Sequence, residues 1–313
     1  MLDLGVSNHV STLFLFGAGA SAFSGASLPT APPLGAALFD ELRALGGVAA
    51  SVDGHLADEF RRDFEAGMEL FRQTRGYDAT VFLLEMAKYF ARFRPAVGNL
   101  YVQLLANMTD TGRRFVVASL NYELMVELAA TMIGRQIRYE FSPNQTRSIC
   151  IIKPHGSCNF LPDVAPRQFY DFSVNIADTS RHSSIMDGPV RIAEDTREVI
   201  EFCDRENAVA PAMSLYEQSK DALFCPSFVK GQQAYFRAAA AHARRIFVIG
   251  VRVNDRDSHV WMPLAKTAAS LFYVGPDASE LLAWASKFRR RGVHHFATTF
   301  EEAVPKIIDV HAR

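Results

Sequence analysis

The chain has 313 residues, of which 49% are hydrophobic and 21% charged, and this balance excludes a disordered protein. Its formal net charge of -1 provides no basic surplus, so direct binding of nucleic acid is not expected. The length suits one large domain or one domain with a sizeable insertion. No apolar stretch is long enough to span a bilayer, and the first residues lack a signal pattern. We therefore predict a cytoplasmic protein with no membrane partner.

The candidate strands are short and mostly apolar on both faces. Continuous apolar runs are typical of strands that are buried on both faces, as in a parallel sheet covered by helices. The candidates are Thr12–Phe16, Phe115–Ser119, Ile149–Lys153, Ala222–Cys225, Arg245–Gly250, Leu271–Val274 and Val293–Phe296.

Helical patterns separate several of these strands, namely Tyr122–Ile133, Gln232–Arg244, Asp257–Ala269 and Ser279–Arg290. Strands that alternate with helices indicate an α/β fold. We predict a Rossmann-like, doubly wound, mostly parallel sheet of about six to seven strands within a single domain.

Two stretches interrupt the alternation. Residues 34–110 have helical patterns only, and we interpret them as an inserted helical module. Residues 159–219 form a second insertion, irregular at first and then helical over Arg191–Glu206.

A glycine-containing segment follows the first strand. Gly17–Ala22 satisfies the pattern G-x-G-x-x-[GA], in which glycines allow close approach of a diphosphate and amides at a helix start bind it. A dinucleotide-binding dehydrogenase also needs a long helix and then a strand ending in an acidic residue. Prolines 29, 32 and 33 exclude that helix, and Asp40 and Glu41 fall in a helical pattern, so the dehydrogenase pattern fails at two points.

Two polar clusters follow later strands. Asn121-Tyr122-Glu123 comes after the strand candidate 115–119, and His155-Gly156-Ser157 comes after the candidate 149–153. Open parallel sheets bind ligands beyond the carboxyl ends of their strands, so one crevice formed by three loops is expected. Taken singly, Asn121 is explained as a helix cap and His155 as a turn residue.

The four cysteines are not spaced as metal ligands, since none belongs to a C-x-x-C pair. Apolar neighbours of Cys150 and Cys225 predict buried free thiols in a reducing compartment. Asp255–His259 contains possible metal ligands, but it leads into a helix start, where acidic residues complement the helix dipole. We predict no metal site.

Five segments, taken in order, resemble the sirtuin-type family of NAD-consuming domains. Gly17–Ser21 is similar to the first loop of that family, and Ser119–Glu123 to its T-x-N-x-D element. Lys153–Ser157 is similar to its H-G motif. Ile249–Asp255 resembles its late glycine-containing strand end, and Phe272–Asp277 the strand that reaches the adenosine.

The resemblance points to one branch of that family. Its protein deacylases carry a four-cysteine zinc module after the H-G motif, whereas that interval here holds only Cys158, Cys203 and Cys225. The first loop continues as Gly25–Pro29 in place of G-I-P-D-F-R. Together with the form of the H-G motif, these differences resemble the zinc-free bacterial branch, whose members are NAD hydrolases of antiphage defence. The resemblance therefore implies an NAD+ glycohydrolase, with NAD+ as substrate and no metal.

The resemblance also implies roles for individual residues. Asn121 would orient the attacking water or the ribose, and His155 would accept a proton from a ribose hydroxyl or from the water. Asp257 or Asp277 would bind the hydroxyls of the adenosine ribose. The predicted NAD+-binding residues are Gly17, Ala18, Gly19, Ala20, Ser21, Asn121, Tyr122, His155, Gly250, Val251, Asn254 and Asp277.

An unregulated NAD hydrolase would deplete the cofactor of its own cell. We therefore predict a toxic effector that is controlled by a partner protein, for example a defence ATPase or a nucleotide-acting enzyme, and that forms a homo-oligomer. Two alternatives stay open at this point. One is an NAD-dependent protein deacylase, and the other is a non-catalytic sensor of an NAD-derived nucleotide.

Overall fold

The computed structural model describes residues 10–75, 78–142, 148–163, 186–205, 209–214, 223–254, 256–288 and 291–312. Its strands are β1 (Val10–Phe16), β2 (Ser27–Leu28), β3 (Arg94–Pro95), β4 (Phe115–Ser119), β5 (Ile137–Arg138), β6 (Ile149–Ile152), β7 (Phe160–Pro162), β8 (Val190–Ile192), β9 (Ala243–Ile249), β10 (Ser270–Val274) and β11 (Val293–Ala297).

The helices in this part of the chain cover both faces of the main sheet and make up most of residues 34–110, the predicted helical module. They are α1 (Ala18–Ala22), α2 (Gly35–Ala44), α3 (Gly47–Ala50), α4 (Gly54–Arg62), α5 (Phe64–Arg75), α6 (Asp78–Phe90), α7 (Leu100–Asp110), α8 (Met125–Met132), α9 (Thr196–Cys203), α10 (Pro226–His242), α11 (Ser258–Lys266), α12 (Ser279–Lys287) and α13 (Phe300–Ala312). No described helix combines the length and the apolar character needed to cross a bilayer.

The main sheet has seven strands in the order β11-β10-β9-β1-β4-β6-β5, and every pair is parallel. Strand β1 is central, and its residues 13–16 are fully buried because helices cover both faces. Phe16 is in register with Ser119 of β4 and with Ile249 of β9. The loops that follow these three strands therefore begin at the same edge of the sheet.

This architecture confirms the predicted doubly wound parallel sheet. Six of the seven candidate strands lie in it, each within a few residues of its predicted bounds. The prediction of the seventh strand, Ala222–Cys225, was wrong for the residues that the structure describes. Phe224 makes one isolated bridge, to Met186, and Cys225 is the N-cap of α10. The chain turns here because Pro226 occupies the first turn of a helix, where its missing amide proton is not needed. Ala222 lies outside the described residues.

Residues 34–110 carry α2 to α7, as the helical patterns indicate, together with the two-residue strand β3, which pairs with β2. The aromatic side chains of this stretch pack against one another. Phe60 stacks on Phe39 and Phe82, with ring centroids 4.5 and 5.5 Å apart. The helices are thus joined to each other by an aromatic cluster, and to the sheet by the same continuous core.

In the stretch predicted to be a second insertion, 159–219, the described residues form β7, β8 and α9. The predicted helix Arg191–Glu206 begins later than expected, at Thr196, because Asp195 caps it by accepting a hydrogen bond from the Glu198 amide at 2.9 Å. Arg191 belongs to β8, which pairs with β7. Residues 164–185, 206–208 and 215–219 lie outside the described part of the chain.

We expect Phe60→Ala to lower the free energy of unfolding by about 3–5 kcal/mol, because the ring is fully buried among four other phenylalanines and its loss leaves a cavity. Urea denaturation followed by far-ultraviolet circular dichroism measures the change. Phe23→Ala is the matched control, since that ring is 64% exposed. Equal effects of the two substitutions would contradict the cluster.

Candidate functional site

The loop after β1 packs directly against the loop after β9. The amides of Gly17 and Gly19 donate to the carbonyls of Ile249 and Gly250, both at 3.0 Å. A methyl group at Gly17 would lie 2.6 Å from the Gly250 oxygen, and one at Gly250 would lie 2.1 Å from the Ala20 nitrogen. Glycine is therefore required here for contact between the two loops, in addition to any approach by a ligand.

Ser21 lies at the centre of a buried hydrogen-bond network. Its Oγ donates to Oε1 of Glu123 at 2.5 Å, lies 2.9 Å from the Tyr101 hydroxyl, and accepts from Nδ2 of Asn121 at 2.9 Å. The other carboxylate oxygen of Glu123 accepts from the Met125 amide at 2.7 Å. Ser21 thus joins the glycine loop to the loop after β4, and its hydroxyl proton is directed to Glu123.

Asn121 follows β4 and is 9% exposed. Its side chain makes two hydrogen bonds within the described residues, both from Nδ2, to the Gly17 carbonyl at 3.1 Å and to Ser21 at 2.9 Å. The amide is held by these bonds in one orientation, which keeps Oδ1 as the acceptor of the side chain.

A buried ion pair lies beneath the polar loops. Nζ of Lys153 is 3.3 Å from Oε1 of Glu127 and donates to the Glu123 carbonyl at 2.7 Å. Burial raises the pKa of the Glu127 carboxyl, and the Lys153 ammonium opposes that shift. Tyr139 also donates to this carboxylate, at 3.3 Å. The pair connects the end of β6 to the segment after β4 and so fixes the two loops relative to each other.

The loop after β6 is held by close backbone contacts. Gly156 has φ of +79°, and a methyl group there would lie 2.0 Å from the Ala212 oxygen. The amides of Ser157 and Ser214 donate to the carbonyls of Ala212 and His155 at 3.1 and 2.8 Å. The backbone conformation and the close approach of residue 212 therefore require a glycine directly after His155. The same contacts hold the backbone from which the imidazole extends.

His155 is 6% exposed and faces two side chains from the start of α11. Its Nε2 lies 3.3 Å from Oδ1 of Asp257, although the pair lacks the alignment of a hydrogen bond. The ring centroid of His259 is 5.0 Å away. Asp257 is the N-cap residue of α11, yet its carboxylate makes no capping hydrogen bond. That carboxylate is directed to His155 instead.

A cavity of about 150 Å³ opens beside Asn121. The residues that line it include Ala18, Ser21 and Asn121 of the loops, together with Pro32 and Phe90. Pockets for whole ligands measure roughly 300–1,000 Å³, so a dinucleotide would fill this cavity with one end and extend beyond it. His155 does not line the cavity, but its loop contacts the Asn121 loop, since the Tyr122 carbonyl accepts from the Cys158 amide at 3.0 Å.

The remaining predicted binding residues are spread more widely. The Tyr122 hydroxyl donates to the Ser214 carbonyl at 2.7 Å, and Val251 is buried against Gly17. Asn254 donates to Glu65 of α5 at 3.2 Å. Asp277 accepts two hydrogen bonds from Ser279 at the start of α12, and these lower the pKa of its exposed carboxyl. The binding roles of all four stay predictions, and Asp255 lies outside the described residues.

All four cysteines are free and buried. Burial raises the pKa of Cys150 to about 11 and the pKa of Cys203 and Cys225 to about 12, and it raises that of Cys158 well above the usual value. Within the described residues, the one group of three side chains suited to a metal ion contains no cysteine. It consists of His155, Asp257 and His259.

We expect the folded chain to react only slowly with Ellman's reagent near neutral pH, because buried thiols with raised pKa values are almost entirely protonated. After unfolding in guanidinium without a reductant, four thiols per chain are expected to react at once. Fewer than four in the unfolded chain would show a disulfide, and rapid reaction of the folded chain would show an accessible thiolate.

Sequence patterns missed two features of this site. Lys153 appears in the sequence as part of a motif, but its partner Glu127 lies on the apolar helix α8 with no visible signal. Asp257 has the pattern of a helix-capping residue, and only the fold directs its carboxylate to His155. Asp257 and His259 stand two residues apart in the sequence, but that spacing alone does not indicate that both face His155.

No protein-family model matches this sequence, and no curated protein matches it either. Solved structures do match over nearly the whole chain. A Sir2 homologue mutant in complex with ADP-ribose aligns with a TM-score of 0.51, and a second such mutant complex with a TM-score of 0.50. A triple mutant of Sir2 homologues in complex with 2′-O-acetyl ADP-ribose aligns with a TM-score of 0.51. In all three, identity is 14%, and the match covers 98% of this chain and 94% of the other.

The parallel seven-stranded sheet and its edge of loops define an α/β protein of the Rossmann-like class. Within that class the chain has a sirtuin-like fold, because the match to the Sir2 homologues covers 98% of this chain.

Proposed function

We propose that this protein hydrolyses NAD+ at the bond between nicotinamide and ribose, releasing nicotinamide and ADP-ribose. The observation that carries the proposal is the contact between two loops at the carboxyl edge of the sheet, the loop of Asn121, which lines the cavity, and the loop of His155. Proteins of the same fold hold ADP-ribose, which is the product of this reaction. The diphosphate would lie against Gly17–Ser21, with Ala18 exposed in that loop.

The chemistry makes few demands on the protein. The C1′–N bond breaks, its electron pair stays on the nicotinamide, and the ring leaves as a neutral molecule. Water adds to C1′ through a transition state that resembles an oxocarbenium ion. Asn121 would orient that water or the ribose through Oδ1. The proton of the water passes to the His155 ring, and Asp257 stabilises the resulting imidazolium at 3.3 Å from Nε2.

The test is product analysis by liquid chromatography after the purified chain is mixed with NAD+ and no acylated peptide. We expect equal amounts of nicotinamide and ADP-ribose from the wild type and a large loss in Asn121→Ala. The matched control is Asn99→Ala, because Asn99 is also a buried amide, but its side chain makes four hydrogen bonds and caps α7. Equal turnover in both variants would overturn the role of Asn121.

A second candidate, NAD-dependent protein deacylation, is favoured by one finding. A structure of the same fold holds 2′-O-acetyl ADP-ribose, the ester expected when an acyl group is transferred to ADP-ribose. If the chain is a deacylase, nicotinamide release requires an acylated peptide, and the ester is the product. Release without peptide favours the hydrolase.

The proposal includes a biological setting, in which the protein is a toxic effector of bacterial antiphage defence in the cytoplasm. It rests on the form of the Lys153–Ser157 motif and on the free thiols, which suit a reducing compartment. Control would come from self-association or from a partner protein that contacts the helices of residues 34–110. Light scattering with parallel activity measurements at several protein concentrations tests control by self-association.

A further inference from the structure

We propose that His155, Asp257 and His259 form a site for a divalent transition metal ion, with Zn²⁺ as the best fit. The three residues come from two separate segments, the loop after β6 and the start of α11. Each offers one ligand atom, and all three atoms lie within 4.8 Å of one another.

The chemistry of the ligands favours zinc. Two imidazoles and one carboxylate are a common ligand set for Zn²⁺, with water as the fourth ligand. His155 and Asp257 are buried and His259 is half-buried, so the ion would have access from the His259 side. Calcium and magnesium prefer oxygen ligands and would be poorly held by two nitrogens.

The geometry also fits zinc. A tetrahedral Zn²⁺ with bonds of about 2.0–2.1 Å places neighbouring ligand atoms about 3.3 Å apart. Nε2 of His155 and Oδ1 of Asp257 are separated by 3.3 Å and are not aligned as donor and acceptor. Two ligand atoms bound to one ion are separated by this distance and need not be aligned as donor and acceptor. The third ligand atom, on His259, lies within 4.8 Å of the other two.

A bound ion has a consequence for catalysis, and this part of the inference rests on the proposed hydrolysis. The dication occupies Nε2 of His155 and places positive charge beside a ring that must accept a proton. It also opposes the positive charge that develops on the ribose in the transition state. Zn²⁺ would therefore inhibit the reaction by occupying His155, and it would not serve as a cofactor.

The first experiment measures metal binding without NAD+. The full chain is treated with a chelator, dialysed and titrated with Co²⁺, whose visible spectrum reports tetrahedral coordination, and with Zn²⁺ by calorimetry. We expect one ion per chain and no near-ultraviolet charge-transfer band from thiolate. In His259→Ala the affinity should fall by more than the roughly 10- to 100-fold that accompanies loss of an outer-sphere partner.

The controls separate this site from surface histidines and from misfolding. His55→Ala removes an exposed histidine on α4 and should bind Co²⁺ as the wild type does. His259→Gln is a second variant that keeps a polar side chain of similar length, and thermal melts by circular dichroism report its fold. Unchanged binding in the folded His259 variants, a thiolate band, or the absence of any bound ion overturns the proposal.

The inhibition experiment distinguishes the two proposals. Zn²⁺ should stop ADP-ribose release by the wild type, whereas His259→Ala should retain basal turnover and be insensitive to the ion. If the chain binds Co²⁺ through His259 but never cleaves NAD+, the hydrolase proposal fails and the metal site stands. If it cleaves NAD+ but His259→Ala leaves binding unchanged, the metal site fails and the hydrolase proposal stands.

Discussion

Replacing His155 by alanine is expected to lower the rate of NAD+ cleavage by roughly 10²- to 10⁴-fold, the usual contribution of a positioned general base. The imidazole is buried and held by the Gly156 turn, and Oδ1 of Asp257 lies 3.3 Å from its Nε2. The fold should persist, because backbone hydrogen bonds join the loop to residues 122, 212 and 214 without involving the imidazole. Initial rates of nicotinamide release, measured beside a thermal melt, test both statements.

The matched control is His242→Ala. His242 is a half-buried histidine at the end of α10, where its ring lies 2.8 Å from the Ala238 carbonyl. Its loss should leave the cleavage rate unchanged. Free imidazole added to His155→Ala should restore part of the rate if the ring acts as a base, whereas a purely structural role would not respond. Wild-type turnover in a folded His155→Ala protein would remove His155 from the mechanism.

Replacing Gly250 by alanine is expected to abolish NAD+ cleavage and to destabilise the chain. Gly250 has φ of +63°, and the added methyl group would lie 2.1 Å from the Ala20 nitrogen. Because the methyl group would clash with backbone atoms, the loops after β1 and β9 would have to move apart. The hydrogen bonds that the Gly17 and Gly19 amides donate across the two loops would then be lost. Denaturant unfolding and product analysis measure the two effects.

Gly134→Ala is a close control for the backbone strain alone. Gly134 has φ of +71° at the end of α8, but nothing lies within 4 Å of an added methyl group. The left-handed conformation should cost about 1–2 kcal/mol and leave turnover unchanged. Gly250→Ala should cost more, because the clash adds to the same strain. Equal stability and equal turnover in the two variants would show that contact between the loops is not required.

The strands of the sheet were predictable because burial on both faces requires a run of apolar residues that is visible in the sequence. The longer strands are mostly apolar runs, and helices with their own period lie between several of them. Strand β5 was missed, since it has two residues and no periodicity is visible at that length. The error at Ala222–Cys225 has a similar cause, because a short apolar run before a proline fits a strand end and a helix start equally well.

The sequence by itself determined the fold class and which residues stand at the ends of the central strands, because hydrophobic periodicity and glycine-containing turns are local properties. Asn121 and His155 were found in this way. Only the tertiary structure decided which side chains face one another. Asp257 lies next to His155, Glu127 next to Lys153, and Ser21 next to Glu123, each pair brought together from separate segments. Such pairings depend on the packing of loops over the sheet edge, and no local pattern encodes that packing.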